Sequence, residues 1–211
     1  MTPSPILIEA LPFTVPEREI RRRLGYVHGE TVLSAEDEMH LKATIARGAA
    51  LCRRSRGVYC APLNIIQRTP ETTTLDCGGF NWLITSPQVA YMLRDAKAVW
   101  AGAITLGPDI ITAVNTAMNA KQTAEAAILD AVGSECADEV MNSLQKLATA
   151  QLIRHGWQLG QCRFSPGYGG WHLDAQKTFF KLLNLEQLQI HLTDSCIMLP
   201  EKSVTAIAPI F

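Results

Sequence analysis

The stretch RFSPGYGG, residues 163–170, carries the most information about how this chain folds. Arg163 stands at the end of a predicted strand, and one proline and three glycines follow it. A guanidinium offers a rigid fork of donors that fits a carboxylate, glycines let a backbone approach a ligand closely, and Tyr168 can stack on a flat ring. This set suits a small ligand with a carboxylate and an aromatic base. On residue types alone, a surface turn with a solvated arginine is the alternative.

Helical patterns lie upstream of this stretch, and strand patterns lie towards both ends of the chain. Residues 109–155 are almost wholly helical in pattern, with apolar residues three and four positions apart from 128 to 147. Gly133 interrupts that stripe, which predicts either a close packing contact or a break between helices. Residues 98–106 predict a buried strand, and residues 204–208 alternate as a strand does. Strands and helices do not alternate regularly as in βαβ units, so this order predicts an α+β (mixed α/β) fold.

Capping signals predict where three further helices begin. Ser34 precedes a helical pattern and has Asp37 three residues later, which is typical of a helix N-terminus. Ser86 is followed by a proline, the residue favoured at the first helical position. Asp174 is expected to cap a third helix that runs to residue 183.

Short apolar runs predict further strands. Residues 58–63 are expected to form an edge strand, because Pro62 cannot donate a hydrogen bond to a neighbouring strand. Residues 157–163, 188–192 and 197–199 are also expected to be strands.

The charge balance excludes several classes of function. Nineteen Lys and Arg against twenty Asp and Glu leave a net charge of −1, which does not favour a nucleic-acid partner or an anionic membrane surface. No signal peptide opens the sequence, and no apolar run approaches the roughly 20 residues that span a bilayer. We therefore expect a cytoplasmic protein without a membrane partner.

The cysteine pattern gives no evidence for a metal site. No pair has the Cys-x-x-Cys spacing, and no histidine stands at a zinc-ligand spacing from a cysteine pair. The chain is also too long for a disulfide-stapled miniature. The six cysteines are therefore expected to be free, buried thiols: Cys52, Cys60, Cys77, Cys136, Cys162 and Cys196.

Two linked blocks give this chain a resemblance to a known family. The pattern Arg-x-x-Pro-Gly-Tyr at residues 163–168 resembles the signature of the activation (reactivation) domain of cobalamin-dependent methionine synthase. The block LTDSCIMLPEKSVTAI, residues 192–207, is similar to that domain's Leu-Thr-Glu-Ser segment and the strand after it. Arg-Leu-Gly-Tyr at residues 23–26 and the helix at 128–147 also agree. The resemblance covers most of the chain.

The resemblance implies a fold and a reaction. It implies a single domain over residues 1–211, C-shaped, with an antiparallel sheet and a central helical segment. In that family the domain binds S-adenosylmethionine and supplies a methyl group when cobalamin has been oxidised from Co(I) to Co(II). The electron for this reductive methylation comes from flavodoxin or a similar donor. The chain would then be a free-standing reactivation subunit of methionine synthase that acts by positioning its ligand, without a catalytic side chain.

The resemblance also assigns the site residues. Arg163 is implied as the partner of the methionine carboxylate, Ser165 as a source of main-chain contacts, and Tyr168 as a ligand contact. Gly167 would permit the turn. An acidic residue on the central helix belongs to the family's site, and Asp138 matches it best, with Glu139 as the alternative.

The sequence departs from the family in several places. His172 stands where the family has a proline, and it is either a proton-active group or a solvent-facing loop residue. No match is obvious for the family's aspartate near the start of the domain. None of the five histidines lies in the Asp-x-His-x-x-Gly pattern that ligates cobalt. We therefore expect the cobalamin to be held by another, corrinoid-binding protein.

We expect the loop at residues 165–171 to form the edge of the site that contacts this partner. Trp171 is a candidate exposed anchor there, and the alternative is that it packs beside Phe179. Two other functions are compatible with the same motif: a non-enzymatic S-adenosylmethionine sensor that regulates a corrinoid methyltransferase, and a structural protein that has lost the ligand.

Overall fold

The centre of the molecule is an antiparallel sheet. The computed structural model describes residues 4–27 and 29–211. The strands are β1 (Ile6–Ile8), β2 (Arg56–Arg68), β3 (Thr72–Asp76), β4 (Asn81–Thr85), β5 (Ala98–Thr105), β6 (His191–Leu192), β7 (Met198–Leu199) and β8 (Ser203–Ile210). The helices are α1 (Glu17–Arg23), α2 (Ala35–Leu51), α3 (Pro87–Met92), α4 (Asp109–Asn119), α5 (Thr123–Ile153) and α6 (Gln176–Leu183). Single 3₁₀ turns lie at Leu173–Ala175 and Leu185–Leu188.

The main sheet has the strand order β4-β3-β2-β5-β8, and β1 also pairs with β2. All of these pairings are antiparallel, with Ala98 opposite Ile210 and Thr105 opposite Ser203 across β5 and β8. The strands β6 and β7 form a separate two-stranded ribbon. The expected combination of an antiparallel sheet and a central helical segment is confirmed.

Strand β5 separates two hydrophobic cores. All eight of its residues are buried, because both faces of the sheet are covered. Its side chains alternate between the faces, so Trp100 and Ile104 join a core beneath α1, α2, α4 and α5, whereas Val99 and Ala101 join a second core with α3 and α6. The strand predicted at residues 98–106 is therefore confirmed.

The helix signals on Ser34 and Ser86 are confirmed. Each side chain accepts a hydrogen bond from a backbone N–H of the first turn, at 3.1 Å for Ser34 and 3.3 Å for Ser86. The long helix α5 runs through Gly133 without a break. A Cβ atom at Gly133 would lie 3.1 Å from both Ile110 Cγ1 and Lys202 Cε, so this glycine marks a close packing contact.

The edge-strand prediction for residues 58–63 is wrong. Strand β2 lies inside the sheet, between β3 and β5. The pairing of β2 with β5 shifts register between Cys60 and Leu63, and Pro62 lies in that irregularity, where no ladder hydrogen bond is required of it.

Three predictions for the last third of the chain need correction. Residues 157–163 form no strand; Leu159 makes an isolated bridge with Ile210, and Gly160 N donates to Pro209 O at 2.8 Å. Residues 188–192 and 197–199 contribute only the short ribbon β6–β7, since a 3₁₀ turn occupies 185–188. Asp174 lies within a 3₁₀ turn and caps nothing, because α6 continues directly from that turn.

Among the described residues, no helix combines the length and the apolar character needed to cross a membrane.

Candidate functional site

An open cleft lies between the second half of α5, the loop at residues 163–170 and the start of β8. Its volume is about 680 Å³, within the range of about 300–1,000 Å³ that is usual for small-molecule sites. The residues that line it are Asp138, Asn142, Gln161, Arg163, Phe164, Ser165, Pro166, Tyr168, Gln176, Met198, Ser203, Val204 and Thr205. Both blocks singled out in the sequence therefore contribute to one cavity.

Backbone hydrogen bonds fasten the loop to the sheet. Phe164 N donates to Ile207 O at 3.0 Å, and Ile207 N donates to Phe164 O at 2.9 Å. Gly167 N donates to Trp171 O at 2.8 Å and closes the turn. Gly167 has a φ of +93°, a left-handed conformation that favours glycine, as the predicted role in the turn requires.

Arg163 is half-buried at the cleft wall. Its Nη1 donates to Gln145 Oε1 at 2.5 Å, and it makes no ion pair with any carboxylate of the described residues. Burial lowers the pKa of the Arg163 guanidinium, and the charges of Asp138 and Glu139 oppose that shift. A cation held in this way can receive an anionic ligand group.

The two acidic site candidates on α5, Asp138 and Glu139, lie in different environments. Asp138 lines the cleft, whereas Glu139 accepts a hydrogen bond from Asn142 Nδ2 at 2.9 Å and lies 3.8 Å from Lys146 Nζ. Desolvation raises the pKa of the Asp138 carboxyl, and the nearby charge of Glu135 adds to the rise. Of the two candidates, Asp138 is therefore the one that the fold places at the cavity.

The aromatic and small residues of the motif take different positions. Tyr168 lines the cleft with 72% of its surface exposed, so its ring is open to a ligand. Ser165 lines the same cleft, whereas Gly167 belongs to the turn and does not line it.

The prediction of Trp171 as an exposed anchor is wrong, because its side chain is only 3% exposed. Its ring lies 5.9 Å from that of Trp82, 6.0 Å from that of Phe179 and 6.4 Å from that of Phe164, between ring centroids. The alternative, packing beside Phe179, is what the structure has. Burial of so large an apolar ring outweighs its position in a glycine-rich loop.

The remaining candidates lie outside the cleft. His172 is exposed and does not line the cavity. None of the six cysteines forms a disulfide; five are buried, and Cys162 is exposed, contrary to the expectation of burial. Within residues 4–27 and 29–211, no three His, Cys, Asp or Glu side chains come together as a metal site would require.

Several polar residues of the site were missed from the sequence. Asn142, Gln161, Gln176 and Gln145 either line the cleft or hold Arg163. A signal was present on α5, where Asp138, Asn142 and Gln145 follow at steps of four and three and so share one helix face. Gln176 is 4% exposed, and its Oε1 accepts from Thr205 Oγ1 at 2.8 Å. No local sequence pattern predicts this contact, because the two residues are far apart in sequence.

Comparison with known proteins agrees with this architecture. Residues 123–209 match the family model described as vitamin B12 dependent methionine synthase, activation domain. A crystal structure of the MetH reactivation domain bound to AdoHcy superimposes with a TM-score of 0.67 and 15% sequence identity, over 98% of this chain and 78% of that one. A search of curated proteins finds no match.

The family match includes α5, the 163–170 loop and most of β8, and so covers the cleft. The structural likeness extends over nearly the whole chain and concerns the fold. The resemblance read from the sequence is therefore confirmed: residues 123–209 match the family of the vitamin B12 dependent methionine synthase activation domain, and the chain has the fold of a MetH reactivation domain.

Proposed function

We propose that the cleft binds S-adenosylmethionine and that the chain donates the ligand's methyl group to oxidised cobalamin on a separate corrinoid protein. The observation that carries this proposal is Arg163: its half-buried guanidinium lies at the wall of a cavity of about 680 Å³ and forms no ion pair with a carboxylate of residues 4–27 and 29–211. A guanidinium that is partly removed from water and has donors left over is well suited to bind an anionic ligand group.

The residues present fit the chemical groups of this ligand. The fork of Arg163 suits the methionine carboxylate. The exposed ring of Tyr168 suits the flat adenine. Ser165 would contribute main-chain contacts at the same wall, with Gly167 permitting the turn, and Asp138 offers a carboxylate to the ligand's ammonium or ribose hydroxyl groups.

The open form of the cleft suits transfer to a second protein. The methyl carbon must leave the sulfonium sulfur, which keeps the bonding electron pair and becomes the thioether of S-adenosylhomocysteine. Reduced cobalt on the partner supplies the pair for the new bond, after a flavodoxin-like donor has converted Co(II) to Co(I). The partner is a corrinoid-binding protein or a methionine synthase that lacks its own activation domain, and we place the reaction in the cytoplasm. The contribution of this chain is to hold and orient the donor.

Calorimetry with S-adenosylmethionine and S-adenosylhomocysteine tests the binding step. Arg163→Ala should weaken binding of both by about 1.5–3 kcal/mol, the usual value of a hydrogen bond to a charged group. Arg163→Lys keeps the positive charge but loses the paired donors of the guanidinium, so its affinity should lie between those of the unaltered chain and Arg163→Ala. Arg154→Ala removes an exposed arginine just after α5, outside the cleft, and serves as the matched control. Equal affinity in the Arg163→Ala variant and the unaltered chain would exclude Arg163 as the carboxylate partner.

A second experiment separates methyl donation from sensing. The chain is mixed with a corrinoid protein in the Co(II) state, a strong reductant and S-adenosylmethionine, and methylcobalamin is followed by its absorbance. The proposal expects methylation that depends on this chain and is lost in Arg163→Ala. Ligand binding without methylation of any corrinoid protein would favour the sensor.

A further inference from the structure

Gln145 of α5 lies behind Arg163 and is only 8% exposed. Its Oε1 accepts from Arg163 Nη1 at 2.5 Å, and its Nε2 donates to Gly160 O at 2.6 Å, with Gln161 O at 3.4 Å. One amide therefore joins the central helix, the arginine and the backbone that leads into the motif.

The orientation of this amide is fixed by its neighbours. If its oxygen and nitrogen exchanged places, an N–H group would face the guanidinium, which has donors only, and an oxygen would face two carbonyls. Gln145 thus holds one N–H of Arg163, and the other donors of the guanidinium remain for a ligand.

The neutrality of Gln145 matters as much as its geometry. A glutamate of the same size at this position would form a charge-assisted pair with Arg163 and cancel its charge. Two carboxylates of α5 act on the Arg163 guanidinium through their charge, Asp138 and Glu139. Glu139 accepts from Asn142 and lies 3.8 Å from Lys146 Nζ, and Asp138 lines the cleft without an ion-pair contact to Arg163 among the described residues.

We infer that Gln145 is a positioning residue that makes the cleft selective for ligands with a carboxylate, by aiming Arg163 without neutralising it. The inference rests on the proposed function. It assigns the selectivity to a residue that does not itself line the cavity.

The test compares two ligands and two charge changes. S-adenosylmethionine carries the carboxylate, and 5′-methylthioadenosine keeps the adenosine and the sulfur but lacks the amino-acid group. Gln145→Glu introduces the competing carboxylate. Gln158→Glu makes the same chemical change at an exposed residue outside the cleft and serves as the control. Circular dichroism and thermal unfolding establish that each variant is folded.

At neutral pH, Gln145→Glu should weaken S-adenosylmethionine binding by about 10- to 150-fold, the equivalent of one charged hydrogen bond. Affinity for 5′-methylthioadenosine should change by less than about twofold. Gln158→Glu should bind both ligands as the unaltered chain does.

If Gln145→Glu fails to fold, Gln145→Met tests the inference instead. It removes the hydrogen bonds of the amide to Arg163 and to Gly160 O without adding a charge. It should weaken S-adenosylmethionine binding by about 2- to 12-fold and leave 5′-methylthioadenosine binding unchanged. If a folded variant loses affinity for both ligands equally, the role of Gln145 is structural only, and the inference is overturned. Unchanged S-adenosylmethionine affinity in Gln145→Glu would overturn it too, while leaving the proposed function intact. If the unaltered chain binds neither ligand, the proposed function and the inference both fall.

Discussion

Replacing Gly169 by alanine tests how tightly the loop beside the cleft is packed. Gly169 has a φ of +51°, and a Cβ atom added there would overlap Phe164 Cζ and the side-chain amide of Gln88. The next residue, Gly170, has a φ of +73° and open space around the same position. The two substitutions therefore share the backbone strain and differ in the steric overlap.

The expected magnitudes follow from this difference. An alanine in the left-handed region costs about 1–2 kcal/mol, so Gly170→Ala should lower the free energy of unfolding by about that amount. Gly169→Ala adds the overlap, and forcing a packed ring aside costs about a further 1–3 kcal/mol. Phe164 cannot move freely, because its backbone is bonded to Ile207 and its ring lies 6.4 Å from that of Trp171. The reduced entropy of the unfolded chain with alanine affects both variants equally.

Urea unfolding followed by far-ultraviolet circular dichroism measures both variants. We expect Gly169→Ala to unfold at a clearly lower urea concentration than Gly170→Ala, with similar m-values. Because Phe164 lines the cleft, Gly169→Ala should also weaken ligand binding more than Gly170→Ala does. Coincident unfolding curves for the two variants would refute the argument, since the overlap would then have been relieved at no cost.

Three further predictions concern the buried groups. Trp171→Ala should lower the free energy of unfolding by about 3–5 kcal/mol, because a large buried ring is lost. Tyr168→Ala removes an exposed ring and should change the free energy of unfolding by less than about 0.5 kcal/mol. Equal urea midpoints for the two variants would contradict the buried position of Trp171. In the folded chain, a thiol reagent at about pH 8 should label Cys162 alone, because the other five cysteines are buried. Rapid reaction of a second cysteine would contradict the burial of those five thiols. Burial raises the pKa of Cys60 to about 11 and that of Cys77 to about 12, whereas unfolded thiols ionise at about 8.5. The contribution of these two thiols to the free energy of unfolding should therefore be constant below about pH 8 and fall as the pH rises towards 11, and urea midpoints that stay flat between about pH 8 and 11 would disprove it.

Local chemistry explains which parts of the fold could be predicted from the sequence. The starts of α2 and α3 depend on Ser34 and Ser86, whose hydroxyl groups accept from residues three positions later. The burial of β5 follows from an unbroken apolar run. The motif at residues 163–170 indicated Arg163 and Tyr168 as site residues, and both line the cleft.

Long-range packing explains the rest. Pro62 lies in an interior strand because a register shift accommodates it, and a register depends on two strands at once. Trp171 packs beside Phe179, as one of the two sequence-based alternatives had it, but it also packs against Trp82 of β4, which is distant in sequence. Gln145 reaches Arg163 only because the chain turns back alongside α5 after the helix ends at Ile153, so its partner could not be read from its own neighbours.

The position of β8 sets the order in which this protein can mature on the ribosome. Strand β5 is made about a hundred residues before β8, yet it pairs with β8 along its whole length. Loop 163–170 is bonded to the same late strand, and Ser203, Val204 and Thr205 form one wall of the cleft. Contacts this distant in sequence form slowly, because the chain between them must first be ordered. On the proposed function, the nascent chain should therefore not bind its ligand until residue 210 has left the exit tunnel.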